Sequence, residues 1–520
     1  MSSVAKALSH ALNSALGRTR AERLIVAGLL LVALAARLLP GQRMVDDAFI
    51  TFRYARNLLE GYGFVYNPGQ HVLGTTTPLY TLLLASLSLV SGWRDFPGLA
   101  MIINSVAGAL SVLLLYHLGR SFSGWKAVGV AVALLWAVAP YGVTFTVGGM
   151  ETELTIALLL AASFAYLRTN LPAMAVLSAL AFLARPDTVL LTGLLWLDLI
   201  LRQQRIPWQE GGIALGVLAP WLIFGTLYFG SPFPHSITAK GVAYRLPSGS
   251  AFIRLLQHYA TPFFEYELLP PMGVVLVFAL YCGLCILGGI HAIRRNTRSW
   301  PLLAYPFLYF AVFALANPLI FRWYLSPPLP FYFLLIVTGA SRLAHDGAQI
   351  LFKRKPAAAA QLALTSFVLI ELALTLNAWS LQPDHGPGRP APQMAWYKLE
   401  LLYAQAADIV NQYAQPGDTL GAGDIGVLGY RTGLPVLDTV GLVTPETSRY
   451  YPADPAIYVN AYAIPADLIL ALNPDYLVIL EVYGRGGLLP DARFQARYQL
   501  LARLDTDIYE SDGMLIYQRR

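Results

Sequence analysis

The chain has 520 residues, 56% of them hydrophobic and 13% charged, with a formal net charge of +6. Soluble globular proteins carry about 25% charged residues, so half that value makes lipid the solvent for much of this chain. The modest charge, with no Lys/Arg-rich block, excludes a nucleic-acid-binding protein, and two cysteines exclude a disulfide framework.

Near the N-terminus, Arg18, Arg20 and Arg23 precede the apolar run Leu24 to Ala36. That order fits a signal peptide, but Arg37-Leu38-Leu39-Pro40 is a poor cleavage site and a long apolar region follows. The run therefore reads as an uncleaved first helix. About eleven segments approach the roughly 20 apolar residues that a membrane span needs. They are 22–40, 98–119, 127–146, 150–167, 171–185, 187–201, 211–229, 271–292, 301–318, 323–341 and 357–379. A further run, Thr77 to Val90, is short, has polar flanks and lies in the first outer loop, 41–97. Cys282 and Cys285 share a helical face in an apolar segment. With no second Cys/His pair nearby, they read as packing residues and not as a redox or metal pair.

The character changes after about residue 380, at a Pro/Gly-rich linker from Gln382 to Pro392. Met394 to Gln415 has a helical period. Asp418 to Gly423 and Leu434 to Asp438 read as short strands around a turn-rich helix, Tyr476 to Glu481 as a buried strand, and Met514 to Gln518 as a closing one. The expectation is a membrane domain over 1–380 and one soluble α/β domain over 381–520.

Whether 77–90 crosses sets the orientation of everything after it. If the N-terminus is cytoplasmic and this run lies along the outer surface, the basic residues share the cytoplasmic loops. These are Arg120 and Lys126, Arg168, Arg202 and Arg205, Arg294, Arg295 and Arg298, and Arg342 with Lys353, Arg354 and Lys355. That satisfies the positive-inside rule, and a crossing 77–90 would reverse it. The same topology delivers Asp46, Asp47, Glu151, Arg185, Asp187, His235, Lys240 and Arg322 to the outer face. Ionisable groups beside apolar segments are costly unless they pair or line a wet cavity, so their convergence points to one active site at the outer leaflet.

The first outer loop is the richest stretch. Met44 to Leu58 reads as a surface helix opened by two acids, with Asp46, Phe49, Arg53, Arg56 and Glu60 on one face and Asp47, Ile50, Tyr54 and Leu58 on another. An acid at a helix start also serves as a cap, so composition alone leaves both roles open. The run Asp-Asp-Ala-Phe-Ile-Thr-Phe-Arg-Tyr-Ala-Arg-Asn-Leu from Asp46, followed by Gly61-Tyr62-Gly63-Phe64-Val65-Tyr66-Asn67-Pro68-Gly69, resembles the first outer loop of GT-C superfamily glycosyltransferases. It is most similar to the branch with the mycobacterial terminal arabinofuranosyltransferases. Gly149-Met150-Glu151-Thr152, Ala184-Arg185-Pro186-Asp187, Ser231-Pro232-Phe233-Pro234 through Thr238-Ala239-Lys240, and Gly423-Asp424-Ile425-Gly426-Val427-Leu428-Gly429-Tyr430 follow in order. One position departs: members often carry an acid near Leu73, in His71-Val72-Leu73-Gly74.

The resemblance implies an α-helical polytopic membrane protein of GT-C type with outer juxtamembrane helices and a C-terminal extracytoplasmic α/β domain. It implies a polyprenyl-phosphate-linked sugar donor, transfer with inversion in a single displacement, and a glycan, lipid or protein acceptor at the outer face of a cytoplasmic (inner) membrane. The residues fit that chemistry. An acceptor hydroxyl needs a carboxylate to take its proton, and a departing lipid phosphate needs positive charge. Asp46 is the expected base, because Arg53 and Arg56 share its face and the resemblance favours the first acid; Asp47 is second choice. Lys240 and Arg322, with Arg53, are expected at the donor phosphate. Glu151, Arg185, Asp187 and His235 are expected to position substrate, with an ion pair between helix ends as the competing role of Arg185 and Asp187. No metal ligand or cofactor is assigned, a divalent cation held by His235 with the acids being the alternative. No phosphate-binding Gly-rich loop, Gly-x-Ser-x-Gly elbow or His-Glu-x-x-His occurs. The rival function is a lipid or sugar transporter or flippase, which calls for midplane charges on broken helices in paired repeats. Here the charges gather at one end and no repeat is visible.

Overall fold

The computed structural model describes residues 19–264, 268–379 and 395–520, so Arg18 and the linker expected at 382–392 lie outside the described residues. Every segment expected to span is helical. Among the described residues five helices are long and apolar enough to cross a membrane by themselves: Phe96–Ser123, Trp208–Phe229, Pro271–Arg295, Thr297–Ala316 and Pro356–Asn377. The pair Lys126–Ala137 and Pro140–Val147, bent by 43°, makes a sixth if counted as one span. Pro140 sits at that bend, where its ring and missing N–H break the helical ladder.

About eleven spans were expected, and the difference has physical causes. Thr152–Leu167 and Leu171–Ala184 have 16 and 14 residues. At 1.5 Å per residue they reach only about 20–25 Å, against a hydrocarbon core of about 30 Å. Arg20–Leu38 carries four charges, Arg20, Glu22, Arg23 and Arg37. Pro78–Ser91, the run expected to lie on the surface, is another helix of 14 residues.

Packing within the bundle is close. Pro271–Arg295 and Leu329–Leu351 cross at Gly288 and Gly339, where a Cβ on either residue would collide with the backbone of the facing helix. Small residues permit that approach between membrane helices. Cys285 is buried beside this crossing, and Cys282 Sγ lies 3.5 Å from the Tyr332 hydroxyl.

The two ends of the bundle differ chemically. At one end the basic loops meet. Gly124 lies against the Arg295 guanidinium, Arg202 donates to Thr297 Oγ1, Arg298 lies over the Tyr166 ring, and Trp125 packs on His345. Acids hold these cations together: Glu22 pairs with Arg120 and Lys126, and Asp198 with Arg202. The C-terminal domain covers the other end.

That domain is a five-stranded sheet in the order β2-β1-β3-β5-β4. β1 (Leu420–Ala422) runs parallel to β2 (Val436–Asp438) and to β3 (Tyr476–Leu480), while β5 (Met514–Arg519) is antiparallel to β3 and to β4 (Tyr498–Leu504). Three strands fall within the stretches read from sequence, and β5 runs one residue past its stretch, to Arg519. β4 was not anticipated. It is an edge strand with a register shift between Leu500 and Ala502 and with Leu500 exposed, so its side chains do not alternate cleanly.

Candidate active site

Helix Asp46–Leu59 lies near the start of the 41–97 loop, and its first turn carries both acids. Successive helical residues point about 100° apart, so the two face different neighbours. Asp46 faces the C-terminal domain. Its carboxylate accepts from the backbone N–H of Gly426 at 2.9 Å and of Val427 at 2.8 Å, capping helix Gly426–Thr432 across the chain. Burial, with the Asp424 charge adding to it, raises this carboxyl above its ordinary value. Both oxygens are occupied, and Asp46 lies in the joint between domains instead of lining the cavity described next.

Arg53 belongs to the same joint. It is 1% exposed and donates to the carbonyls of Tyr66 (2.8 Å), Gly429 (2.6 Å) and Leu434 (2.8 Å), while its guanidinium lies over the Tyr66 ring. Asn67 pairs with both backbone groups of Val436, as a neighbouring strand would. Gly426 and Gly429 press against Asp46 and Tyr66, where a Cβ would collide with each. The Gly-x-x-Gly spacing thus builds the smooth face that docks on helix Asp46–Leu59.

Asp47 faces another way, into a cavity of about 500 Å³ between the 41–97 loop, the membrane helices and Leu442 of the C-terminal domain. Helix His235–Ala243 turns one face to this cavity, with Ser236, Ile237, Lys240 and Gly241 at helical spacing and Tyr244 just beyond. Lys240 Nζ lies 3.2 Å from Asp47 Oδ2 and 4.7 Å from the Phe321 ring centre. Burial pulls the ammonium down, but the charge and hydrogen bond of Asp47, with Tyr324 and Asp424 adding to them, together leave Lys240 above its ordinary value. Ser236 Oγ is buried without a hydrogen-bond partner among the described residues.

Another wall is ionic. Pro186 forces the residue before it into an extended conformation, so helix Leu171–Ala184 stops and Arg185 (φ −157, ψ 130) turns aside. Its guanidinium grips Asp187 through two bonds of 3.0 and 2.8 Å and meets Glu151 Oε1 at 3.2 Å. Glu151 sits at the other short helix, on a turn held by Tyr80, which donates to Gly149 O, and Asn104, which donates to Met150 O. Thr51, Thr75 and Thr77 form a linked hydroxyl cluster that also lines the cavity.

The remaining candidates stand outside this lining. Arg322 is half-buried between Phe321 and Trp323, which do line the cavity, and has no hydrogen bond or ion pair among the described residues. His235 donates its backbone N–H to Leu73 O, and its Nε2 is buried without a partner among the described residues. Sequence reasoning passed over Asp424, which receives a bond from the Tyr403 hydroxyl and lies within the fields of Asp47 and Lys240. The signal was its place in Gly423 to Tyr430, a motif used only as a marker of resemblance.

Comparison with solved structures places this architecture. ArnT from Cupriavidus metallidurans superposes with a TM-score of 0.53 when bound to undecaprenyl phosphate and 0.56 in the apo state, at 14% and 12% identity. In both, the match covers 95% of this chain and 97% of ArnT. This is the GT-C fold. The GT-C likeness takes in the C-terminal sheet as well as the helices, since so little of the chain is left unmatched.

By sequence, the chain is 29% identical over 227 residues to the terminal β-(1→2)-arabinofuranosyltransferase of Mycobacterium tuberculosis. It is 27% identical over 239 residues to that of Corynebacterium glutamicum. Each alignment covers 38% of this chain, and the chain spans about a third of these relatives' own length, 35% and 33%. Residues 393–517 match the family model of a domain of unknown function, DUF8728.

Proposed function

We propose that this protein is a membrane glycosyltransferase that moves a sugar from a polyprenyl-phosphate donor to an acceptor hydroxyl, with inversion, at the outer face of the cytoplasmic membrane. The observation that carries the reading is the Asp47–Lys240 pair at 3.2 Å inside a cavity of about 500 Å³. Asp47 is the general base and Lys240 the phosphate partner. The acceptor oxygen attacks the anomeric carbon as the bond from that carbon to the phosphate oxygen breaks. The electron pair leaves on the lipid phosphate, beside Lys240, and the acceptor proton passes to Asp47. Donor phosphate arriving at Lys240 draws the ammonium from Asp47 and frees the carboxylate for the acceptor.

The names of the relatives make arabinofuranose the first sugar to test, and undecaprenyl phosphate bound to ArnT supports a polyprenyl carrier. The basic loops at the opposite end of the bundle support an outward-facing site. The scheme needs no metal, because Lys240 already sets a cation beside Asp47; turnover unchanged by EDTA is expected, and loss of turnover restored by a divalent ion would contradict it. The direct test supplies purified protein with undecaprenyl-phosphoryl arabinofuranose and other undecaprenyl-phosphoryl sugars. Release of undecaprenyl phosphate in the presence of an arabinofuranoside acceptor is expected. A folded sample that releases it from none of them removes the proposal.

A further inference from the structure

We infer that the domain of unknown function carries an acceptor subsite, in which Asp424, Tyr483 and Tyr509 hold the hydroxyls and ring face of a neutral glycan end beside the Asp47–Lys240 cavity. This deepens the glycosyltransferase reading and rests on it. The first observation is topological. From β1 the chain passes to β2 on one side, and from β2 it returns to β3 on the other. In such parallel sheets the crevice outside the carboxyl ends of the two strands flanking this reversal is where ligands bind. Asp424 follows β1 and Tyr483 follows β3, so both stand at that crevice. The chain after Asp424 is fixed by Asp46, which bonds the N–H groups of Gly426 and Val427; the anion position at that helix start is therefore filled by the protein itself.

The second observation is what remains unengaged. One Asp424 oxygen accepts from the Tyr403 hydroxyl, while the other accepts nothing among the described residues, and the side chain is partly exposed. The Tyr483 hydroxyl lies in the fields of Asp424, Tyr509 and Tyr244. Tyr509 is 51% exposed, yet it and Glu510 adopt left-handed backbone conformations, φ 55 and 61. Two consecutive non-glycine residues in that region cost free energy, and the strained turn holds an aromatic ring within the fields of Asp424 and Arg322.

The third observation is continuity with the cavity. Tyr244 lines the cavity, and its ring lies 5.5 Å from Tyr462, which lies 5.1 Å from Tyr483. Arg245 N–H donates to Ala461 O, tying the two domains at this point. Asp47 and Lys240 act on Asp424 in opposite directions, which sets all three within one electrostatic neighbourhood. A carboxylate accepts hydrogen bonds from neighbouring sugar hydroxyls, and tyrosine faces pack on sugar C–H groups. Because Asp424 offers the crevice a carboxylate oxygen, the hydroxyls of a neutral sugar fit it better than a phosphate does.

The test uses the full-length protein, undecaprenyl-phosphoryl arabinofuranose as donor and an octyl arabinofuranosyl disaccharide as acceptor. Losing a charged acceptor of hydrogen bonds raises the acceptor KM of Asp424→Asn about tenfold or more, with the donor KM unchanged. Tyr509→Ala shifts the same constant, and Tyr509→Phe, which keeps the ring, restores it. An active wild type whose acceptor KM is unmoved by Asp424→Asn and Tyr509→Ala overturns the subsite alone. If Asp424→Asn does not fold, the exposed Tyr509 variants decide. A wild type that releases no lipid phosphate overturns the glycosyltransferase reading. Saturation-transfer NMR of the disaccharide then decides the subsite: signal lost in Tyr509→Ala supports it, and signal unchanged contradicts it.

Discussion

Asp46 and Asp47 are chemically identical neighbours, and their different fates follow from the turn of a helix. Asp46 holds two backbone N–H groups of the C-terminal domain, whereas Asp47 meets Lys240 in the cavity. Asn in place of Asp46 cannot accept both bonds equally, and a charged acceptor lost from a buried site costs about 1–3 kcal/mol. Asp46→Asn is therefore expected to lower the thermal midpoint and expose the C-terminal domain to protease, while Asp47→Asn keeps the wild-type midpoint. Equal midpoints for both variants would contradict the anchoring role. The sequence showed two acids with Arg53 and Arg56 on the face of the first, and that face looked catalytic. The spacing could not show that backbone carbonyls of Gly429 and Leu434 occupy Arg53.

Asp438 gives a second prediction at this scale. Its carboxylate accepts from Val440 and Val443 N–H and shapes the loop that brings Leu442 to the cavity. Burial raises this carboxyl from an ordinary 3.8 to about 6, the backbone bonds opposing part of the rise. The folded domain therefore holds this proton more tightly than the unfolded chain does. That stabilisation is full below about pH 4 and is lost as the pH rises through about 6. The wild-type midpoint should fall across this window relative to Asp438→Asn, which has no such proton. Parallel midpoint–pH curves for the two proteins would contradict it.

Among the elements, helix Gly426–Thr432 and helix Asp46–Leu59 form the joint on which the site depends. Gly426→Ala or Gly429→Ala would drive a methyl group into Asp46 or Tyr66, and both are expected to weaken domain docking, read as a lower midpoint. Gly212→Ala, in helix Trp208–Phe229 with open space around its Cβ, is the control and should be neutral or slightly stabilising. A midpoint drop as large in Gly212→Ala would remove the docking explanation. Helical segments were legible because apolar runs and prolines are local signals. The stop at Arg185 was legible in the same way, since Pro186 dictates it. The partner of the Gly-x-x-Gly face was not legible, because it lies some 380 positions earlier in the chain. Edge strand β4 was missed because its exposed, shifted register gives no alternation.

For the whole molecule, the distribution of charge was legible early. Basic loops expected together do meet at one end of the bundle, and Asp47, Glu151, Arg185, Asp187 and Lys240 share a cavity at the other. The proposed orientation across the membrane rests on that division and can be measured. In a Cys282→Ala, Cys285→Ala background, Ser248→Cys is expected to react with an impermeant maleimide added to intact cells, and Arg294→Cys only after lysis. The reverse pattern would place the cavity on the cytoplasmic side. The central claim, that Asp47 takes the acceptor proton, is tested most directly by single-turnover transfer from undecaprenyl-phosphoryl arabinofuranose by purified, folded Asp47→Asn. Loss of the base predicts a rate lower by about 10²–10⁴-fold with donor binding retained. A rate within a few-fold of wild type would contradict the account.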